Sequence, residues 1–391
     1  MALVQAEVEK HYRSHLVDFI RNQGGHVTID GVSVRLAKQF GFCYGVERAI
    51  DLAYAARKVF PDKPLYILGE IIHNPEVNDQ IRSMGIKNII GDNREAEVGD
   101  LQEGDVVIVP AFGTEIGIQR EIKDRGCVIV DTTCGDVMSV WKRVTKNANE
   151  SVTSIIHGKA QHEETKATAS RAVGKGNGHY LILLTLADTD YVCDYIRHGG
   201  DKDAFLARFP EDSRSPGFDP EVHLQTVGVA NQTTMMRGET EEVQRRIREA
   251  VLDRDGEEEG LNNYRFFDTI CGATQERQDA LRQMLDHDKM DLLLVVGGYN
   301  SSNTSHLAEM GEACLPTYFI RNASRLESRE KIVHFDLHAS HEVESRDWLP
   351  EGDLIVGVTA GASCPNNLIE DAVFRVFELR GINRDRVLRG G

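Results

Sequence analysis

Short apolar runs alternate with amphipathic segments along most of the chain. The runs VVIV at 106–109, LLLVV at 292–296 and LIVGV at 354–358 are apolar at nearly every position. Such runs are typical of parallel strands that are covered on both faces. Each run precedes a polar loop that contains Gly or Asn and then a segment whose apolar residues have helical spacing. The pattern predicts an α/β protein with parallel sheets and right-handed crossovers.

The composition is that of an ordinary folded protein with an acidic surface. Hydrophobic residues make up 41% and charged residues 27% of the 391 positions, and the net charge is −17. Proteins that bind nucleic acids or anionic membranes through charge need a basic surface, so we expect neither partner. No apolar run approaches the ~18 residues of a transmembrane helix, and the first residues lack the apolar segment of a signal peptide. We therefore expect a cytoplasmic protein.

Three of the seven cysteines share one sequence context. Cys43, Cys134 and Cys271 each follow a β-branched or aromatic run, precede a Gly by one or two residues and open a segment of helical spacing. Each thiol is thus expected at the amino end of a helix, where the helix dipole favours the thiolate that binds metals. No CxxC pair occurs, which argues against zinc ribbons and thioredoxin-like motifs. The other four cysteines are expected to be buried small side chains: Cys127, Cys193, Cys314 and Cys364.

The length and the three cysteines together suggest three units of similar size. A chain of 391 residues is two to three times as long as a typical domain of ~150 residues. Taking the cysteines as junctions gives segments 31–134, 135–271 and 272–391, in a weak threefold repeat. Residues 1–30 are expected to form a partly helical extension, and residues 188–222 a surface insertion.

Polar residues suited to binding an anion follow several of the predicted strands. Parallel sheets bind ligands at the carboxyl ends of their strands, and the loops there contain imidazoles, hydroxyls and amides with few Lys or Arg. Such groups hold a phosphate or diphosphate, although each one alone also fits a helix cap or a structural hydrogen bond. No glycine-rich nucleotide motif is present. The candidate residues are His73, His162, Glu163, Glu164, Thr233, Ser301, Ser302, Asn303 and Ser363.

Taken together, these motifs resemble those of the LytB-type family of 4-hydroxy-3-methylbut-2-enyl diphosphate reductases, which act in the non-mevalonate isoprenoid pathway. The similarity extends from about Gly41 to about Glu378, and the order of the motifs is highly specific. In chain order the motifs are GFCYGVERAI, IIHNP, DTTC, HGKAQHEET, NQTT, TICGATQERQ, VVGGYNSSNTSHL and VGVTAGAS. The resemblance implies three pseudo-symmetric α/β units with parallel sheets, arranged as a trefoil around a central iron–sulfur cluster.

The resemblance also implies a role for each candidate residue. Cys43, Cys134 and Cys271 correspond to the ligands of a [4Fe–4S] cluster that leaves one iron open. Glu164 corresponds to the proton-delivering acid, and Thr233 to the hydroxyl that works with it. The residues that correspond to substrate- and diphosphate-binding positions are His73, His162, Thr233, Ser301, Ser302, Asn303 and Ser363.

Two positions depart from the usual pattern of the family. Phe112 lies where many members have a substrate-binding His, and the AFG sequence around it resembles the plant and cyanobacterial branch. Gly135 follows Cys134 where the family usually has Pro, which loosens the backbone but keeps the thiol. The resemblance therefore implies a branch variant with a different set of groups around the substrate.

The reaction implied by the resemblance is the reductive dehydroxylation of (E)-4-hydroxy-3-methylbut-2-enyl diphosphate to isopentenyl and dimethylallyl diphosphate. We expect the allylic hydroxyl to meet the open iron, two electrons to pass in single steps, and Glu164 with Thr233 to supply protons. Since no flavin or nicotinamide motif is visible, we expect the electron donor to be a ferredoxin or a flavodoxin. The protein is expected to be a monomer or a homodimer.

The residues alone leave three other interpretations open. A cysteine hydrolase would pair Cys43 with His73 or His162, but it would need one special thiol and not three. A zinc site with three Cys and one His would be colourless and would carry no electrons. A non-catalytic iron–sulfur sensor or a diphosphate-binding module would have no need of Glu164.

Overall fold

The strands of the structure coincide with the apolar runs of the sequence. The computed structural model describes residues 2–91, 93–174, 176–267 and 269–389, and the three apolar runs at 106–109, 292–296 and 354–358 all lie in strands there. The strands are β1 (His26–Ile29), β2 (Val32–Leu36), β3 (Leu65–Ile67), β4 (Ile86–Asn88), β5 (Val106–Val109), β6 (Val128–Asp131), β7 (Thr153–His157), β8 (Tyr180–Leu183), β9 (Val227–Asn231), β10 (Tyr264–Phe266), β11 (Leu292–Val296), β12 (Thr317–Ile320), β13 (Lys331–Asp336), β14 (His341–Arg346) and β15 (Leu354–Ala360).

Helices follow most of these strands, as the alternating pattern predicts. The α-helices are α1 (Ala2–Tyr12), α2 (His15–Asn22), α3 (Tyr44–Val59), α4 (Pro75–Ser83), α5 (Ile116–Asp124), α6 (Gly135–Asn149), α7 (Glu163–Ala172), α8 (Leu186–His198), α9 (Lys202–Arg208), α10 (Pro220–His223), α11 (Arg237–Asp255), α12 (Glu257–Asn263), α13 (Gly272–His287), α14 (Ser302–Glu312), α15 (Asn366–Leu379) and α16 (Arg384–Arg389). None of the helices within the described ranges has the length and apolar character needed to cross a membrane.

Contacts between Cα atoms divide the chain into two compact units. Unit 1 comprises residues 1–62, 70–88 and 272–391, and unit 2 comprises residues 63–69 and 89–271. The end of unit 2 at Cys271 coincides with one of the boundaries predicted from the cysteines. The threefold division of the chain stays a prediction.

Unit 1 contains a seven-stranded sheet with a parallel centre and antiparallel edges. Its order is β1-β2-β15-β11-β12-β13-β14, and the pairs β2–β15, β15–β11 and β11–β12 are parallel. Alternate residues of β11 pack on opposite faces: Leu292 and Leu294 lie in one apolar cluster, and Leu293 and Val295 in another. Burial of both faces explains why this strand is apolar at every position.

Unit 2 contains a second parallel sheet, of order β10-β9-β7-β8, and a third sheet in which β3, β5 and β6 pair in parallel. The side chains of β7 alternate between two helical layers. Ile155 packs in a cluster with residues of α8 and α11, whereas Ile156 packs with Ala169 of α7. The predicted α/β class with parallel sheets is confirmed.

The segment 188–222 is more than the surface insertion expected from its many charges. Phe205, Phe209 and Phe218 in this segment are at most 3% exposed and belong to the apolar cluster on one face of the second sheet. The expectation was wrong because the aromatic residues are widely spaced among charged ones. Such spacing conceals an amphipathic pattern spread over several short helices.

Candidate active site

The three cysteines singled out by their context all lie at the amino end of a helix. Cys43 is the N-cap residue of α3, Cys134 is the N-cap residue of α6, and Cys271 directly precedes α13. All three side chains are half-buried. These positions give each thiol the unpaired amides and the favourable dipole that stabilise a thiolate. The meeting of the three thiols at one cluster stays a prediction.

The other four cysteines lie in different environments from these three. Burial raises the pKa of the Cys193 thiol to about 12, and it also raises the pKa of the wholly buried Cys364 and of Cys127. Cys193 and Cys364 are buried as expected, whereas Cys127 is half-buried. The expectation was wrong for Cys314, which is exposed in the turn after α14.

Glu164 is a buried carboxylate at the start of α7. His162 is the N-cap residue of this helix, and its Nδ1 accepts a hydrogen bond of 3.2 Å from the N–H of Glu164. The side chain of Glu164 turns inward and is 3% exposed, while neighbouring Glu163 is exposed. Oε1 of Glu164 accepts a 2.6 Å hydrogen bond from the N–H of Thr233, which is itself buried. Both predicted catalytic residues are therefore in direct contact.

Gln232 joins the loop that carries His162 to the loop that carries Thr233. Its Oε1 accepts hydrogen bonds of 3.2 Å from the N–H of Lys159 and from Oγ1 of Thr165. A Cβ at Gly158 would lie 2.9 Å from the Cβ of Gln232, so a glycine is needed for the two loops to approach this closely. The sequence showed Gln232 only as part of NQTT and did not reveal this role in positioning Glu164.

The same loop also holds the backbone of Cys271. The N–H of Cys271 donates to the carbonyl oxygen of Thr233 at 3.2 Å. Asn231, which is fully buried, donates through Nδ2 to the carbonyl oxygen of Thr269 at 3.4 Å. Thr233 therefore links the carboxylate of Glu164 on one side to a predicted cluster ligand on the other.

Phe112 lies between two predicted site residues of unit 2. Its ring is 9% exposed and meets the ring of His162 edge to face, with centroids 6.5 Å apart. The carbonyl oxygen of the preceding residue, Ala111, accepts a 2.8 Å hydrogen bond from the N–H of Cys134. Phe112 thus contributes an apolar wall and no donor at the position where the resemblance implies a His in many members of the family.

The predicted anion-binding residues of unit 1 cluster at the amino end of α14. Ser301 is the N-cap residue of this helix, and its Oγ lies 3.3 Å from Oγ of Ser363. Oγ of Ser363 also lies 3.2 Å from the carbonyl oxygen of His73. Ser301, Ser302 and Ser363 are at most 7% exposed. Hydroxyls at the amino end of a buried helix suit a bound anion.

Asn303 has a hydrogen-bond donor without a partner inside this cluster. The side chain is 2% exposed, and its Oδ1 accepts a 2.9 Å hydrogen bond from the N–H of Ala362. Its Nδ2 finds no partner among the described residues. A buried unsatisfied donor costs about 1–3 kcal/mol, so it is the kind of group that a bound acceptor would satisfy. The carbonyl oxygen of Ala362 accepts from the N–H of Cys43 at 3.2 Å, which ties this turn to a predicted cluster ligand.

His73 is oriented by a carboxylate and by the loop that precedes α14. Its Nδ1 lies 3.1 Å from Oε2 of Glu70, an arrangement that leaves the imidazole's Nε2 on the opposite side of the ring. A Cβ at Gly298 would overlap the carbonyl oxygen of His73, so the chain can pass there only as glycine. Glu70 was not among the predicted residues, although its spacing of three from His73 is a usable signal.

Arg277 was missed by the sequence analysis, although it lies in the TICGATQERQ motif. This guanidinium is 3% exposed and donates to the carbonyl oxygens of Gly41 at 2.6 Å and of Phe42 at 3.1 Å. Its Nη1 donates to the carbonyl oxygen of Ala273 at 2.8 Å, two residues after Cys271. One buried cation therefore fixes the backbone that leads into Cys43. Arginines in helices are usually exposed, so the sequence alone predicts a surface residue at this position of α13.

These residues fit an iron–sulfur cluster and a diphosphate ligand. Three half-buried thiols at helix amino ends are the donors such a cluster needs, and Cys193 and Cys364 are buried with raised pKa. The unsatisfied Nδ2 of Asn303, with the neighbouring hydroxyls, suits an anion.

The chain is similar to known proteins over nearly its whole length. The model of the LytB protein family matches residues 34–377. Two reductases of the same name, 4-hydroxy-3-methylbut-2-enyl diphosphate reductase, come from Gloeobacter violaceus and Thermosynechococcus vestitus. The first is 46% identical over 97% of this chain and 91% of its own length, and the second is 44% identical over 97% and 92%. Both belong to the cyanobacterial branch that the AFG sequence indicated.

Two solved structures have the same fold. One is described as the structure of (E)-4-hydroxy-3-methyl-but-2-enyl diphosphate reductase, the terminal enzyme of the non-mevalonate pathway. It is 25% identical, with a TM-score of 0.54 over 88% of this chain and 99% of the other. The other, the corresponding reductase from Plasmodium falciparum, is 21% identical, with a TM-score of 0.63 over 87% and 86%. The family predicted from the motifs is confirmed: the chain belongs to the LytB family.

Proposed function

We propose that the protein reduces (E)-4-hydroxy-3-methylbut-2-enyl diphosphate to isopentenyl and dimethylallyl diphosphate, the last step of the non-mevalonate isoprenoid pathway. This proposal rests mainly on the contact between Glu164 and Thr233. The carbonyl oxygen of Thr233 in turn accepts a hydrogen bond from the N–H of Cys271. A buried acid next to a predicted cluster ligand is what a reaction that combines electrons with protons requires. A hydrolase or a binding module would have no need of that combination.

Cys43, Cys134 and Cys271 would hold a [4Fe–4S] cluster with one iron free of protein thiolates. When bound, such a cluster supplies electrons one at a time and, at its open iron, a Lewis acid. The chain itself supplies the site around it. The helix amino ends provide fixed amides, and Thr233 and Ala362 hold the backbones of Cys271 and Cys43 by hydrogen bonds.

The residues that cluster at the amino end of α14 would bind the diphosphate. Ser301, Ser302 and Ser363 present hydroxyls, Asn303 presents Nδ2, and His73 presents an imidazole held by Glu70. His162 is the N-cap residue of α7, two residues before Glu164, and would present its imidazole to the substrate. Hydrogen bonds to charged groups contribute about 1.5–3 kcal/mol each, so a few neutral donors suffice to bind a small anion in an acidic protein.

Glu164 would hold and deliver a proton. Its Oε1 accepts a hydrogen bond from the N–H of Thr233, which fixes the position of the carboxyl group. The net reaction consumes two electrons and two protons: the allylic C–O bond breaks, a C–H bond forms, and the oxygen leaves as water. Phe112 would help to keep other water away from this acid.

The cellular setting is also part of the proposal. We propose that the protein works in the cytoplasm, as a monomer or homodimer, with a ferredoxin or flavodoxin as electron donor. None of the seven cysteines, all of which lie in the described ranges, forms a disulfide, as is usual for a protein in a reducing compartment. The chain contains no nicotinamide or flavin motif, so its electrons have to come from another molecule.

An anaerobic assay with reduced methyl viologen and the allylic diphosphate tests the activity. We expect oxidation of two viologen radicals for each diphosphate product formed, with visible absorption from the cluster in the resting protein. A colourless protein that binds zinc, or a coloured protein that oxidises no viologen in the presence of substrate, would contradict the proposal.

A further inference from the structure

Helix α6 begins directly after Cys134 and has one face buried and one face open. Val140 and Val144 on the inner face pack against Ala230 of β9. The outer face borders an open groove with a volume of about 580 Å³, lined by Ile116, Met138, Trp141, Lys142, Thr145 and Lys146 together with Asn149, Glu150 and Arg171. We call this the α6 groove. It lies entirely within unit 2.

The α6 groove is basic in an otherwise acidic protein. The chain carries a net charge of −17, yet Lys142, Arg143 and Lys146 occupy the outer side of α6 without an acidic residue between positions 137 and 149. All three side chains are exposed. The nearest acid on this helix end is Glu150, which lies 4.0 Å from Lys146 and also pairs with Arg265. Arg143 lies over the ring of Phe267, 4.4 Å from its centroid, and does not line the groove, so the exposed charge at the groove is that of Lys142 and Lys146.

Exposed apolar side chains accompany this charge. Met138 is 36% exposed and Ile116 is 40% exposed, and both line the groove. Exposed large apolar residues that lie together beside charged ones mark protein interaction sites more often than isolated ones do. A small apolar centre with a charged rim is the usual composition of a transient protein interface.

The floor of the groove leads directly to Cys134. Trp141 forms a small apolar cluster with Val137 and Ala167, and Cys134 packs against this cluster. The indole is held in place from above by the guanidinium of Arg171, which lies 3.2 Å from the ring centroid. Arg171 donates to the carbonyl oxygens of Thr114 and Ala167 at 2.7 and 2.8 Å.

Arg171 adds a fixed positive charge to the lining of the groove. Burial lowers the pKa of its guanidinium to about 10, so it remains a cation at neutral pH. The groove thus has exposed lysines at its rim and a hydrogen-bonded guanidinium stacked on Trp141. One layer of side chains, Trp141 with Val137, separates the open surface from the cluster's predicted thiolate ligand.

From the charge, the exposed apolar residues and the contact with Cys134, we propose that the α6 groove is the docking site for a small acidic electron-carrier protein of the ferredoxin type. This proposal rests on the proposed function, because only a reductase needs such a partner. Each docking event oxidises one reduced carrier and transfers one electron. Two events supply the two electrons that, with two protons, convert each substrate to product and water.

The chemistry of the groove selects this partner over others. The positive charges of Lys142, Lys146 and Arg171 steer an acidic protein and raise its association rate, by factors of 10 to 10³ in strongly complementary pairs. Electron-transfer complexes bury small interfaces, below about 1,200 Å², because the carrier has to leave after each transfer. A groove of this size with few apolar anchors matches a weak partner that exchanges rapidly.

The test uses the charge-reversal variant K142E and the double variant K142E/K146E in the anaerobically purified holoenzyme. The matched control is R248E. Arg248 is exposed on α11, and α11 packs on the face of the second sheet opposite to α6, as the alternation of β7 and β9 side chains shows. R248E therefore changes the net charge by the same amount as K142E without touching the groove.

Two electron donors are compared: a reduced plant-type [2Fe–2S] ferredoxin and reduced methyl viologen. With ferredoxin we expect the KM for the carrier to rise about tenfold in K142E and further in the double variant, with a weaker dependence on ionic strength. Binding of oxidised ferredoxin, measured by calorimetry, should weaken to the same extent. With viologen, turnover should equal that of the unchanged protein in all three variants.

The outcomes separate this proposal from the proposed function. Unchanged ferredoxin KM and affinity in the double variant, or an equal loss in R248E, would overturn the docking site while leaving the reductase intact. Absence of viologen turnover in the unchanged protein would instead remove the proposed function. If a reversal variant unfolds, K142Q/K146Q provides the same comparison with a smaller expected change.

Discussion

Oε1 of Glu164 accepts a 2.6 Å hydrogen bond from the backbone N–H of Thr233. The contact joins the start of α7 to the loop after β9. The carboxyl group is 3% exposed, and only Thr233, whose carbonyl oxygen accepts from the N–H of Cys271, lies between it and that cysteine. Because the donor is a backbone amide, this hydrogen bond survives changes in the side chain of residue 233. The position of the acid and its ability to hold a proton can therefore be tested separately.

Replacing Glu164 by Gln should leave a coloured protein with a large loss of turnover. An amide still accepts from the N–H of Thr233 through its oxygen but delivers no proton. We expect kcat with viologen to fall about 10²- to 10⁴-fold, with little change in substrate affinity. The neighbouring variant E163Q is the control, since Glu163 is exposed on the same helical turn. Turnover of E164Q within twofold of E163Q would remove Glu164 from the proton-transfer step.

Asn303 should contribute to binding of the diphosphate through its unsatisfied Nδ2. In N303D the carboxylate keeps the acceptor for the N–H of Ala362 but turns the free donor into an anionic oxygen. We expect the Kd for inorganic diphosphate to rise by at least tenfold, since a hydrogen bond to a charged group contributes about 1.5–3 kcal/mol. N262D, at an exposed asparagine of α12, controls for the added charge. Equal affinities in the two variants would place the diphosphate elsewhere.

Arg277 should stabilise both unit 1 and the cluster. In R277M the carbonyl oxygens of Gly41 and Phe42 lose their buried donor, which should lower the free energy of unfolding by about 2–4 kcal/mol. R277K keeps the charge but cannot donate in the same forked geometry, so it should rescue only part of this loss. The measurements are thermal unfolding and iron content per chain. R282K, at an exposed position of the same helix, should change neither.

Two histidines of unit 2 should make its stability depend on pH. The rings of His179 and His223 stack with centroids 3.5 Å apart, and Nδ1 of His223 accepts from the N–H of Asp219 at 2.8 Å. Burial lowers the pKa of both imidazoles below the ordinary 6.5, and for His223 the charge of His179 lowers it further, against a raising effect of Asp219.

The unfolded chain therefore binds protons that the folded chain excludes, and stability should be full above pH 6.5 and decrease as the pH falls below it. Thermal unfolding between pH 7.5 and 5.5 measures the effect. H179Q/H223Q should show a smaller decrease over this range, because glutamine does not titrate. An equal pH dependence in the two proteins would assign the effect to other groups.

The sequence predicts the parts of the fold that depend on local pattern. Leu292–Val296 and Val106–Val109 are buried strands because both faces of a parallel sheet are covered, and that leaves a continuous apolar run. Cys43 and Cys134 were correctly placed at helix amino ends because a β run, a short loop and helical spacing follow one another directly. Each of these signals lies within about twenty residues.

The features that the sequence does not predict depend on distant partners. β2 pairs with β15, more than 300 positions away, and no local pattern specifies that pairing. The sequence around Arg277 predicts an exposed cation, because its hydrogen-bond partners, the carbonyl oxygens of residues 41 and 42, lie more than 200 positions away. The sequence does not distinguish the exposed Cys314 from the buried Cys193. The exposure of a residue at the end of a helix depends on what packs over that end, and no local pattern specifies this.

Iron content per chain across a series of Cys→Ser variants tests the central claim most directly. We expect about four irons per chain in the anaerobically purified protein. C43S, C134S and C271S should each lose most of this iron and the visible absorption, whereas C193S and C314S should keep both. Full iron content and unchanged absorption in any of the first three variants would contradict the assignment of these thiols to a shared iron–sulfur cluster.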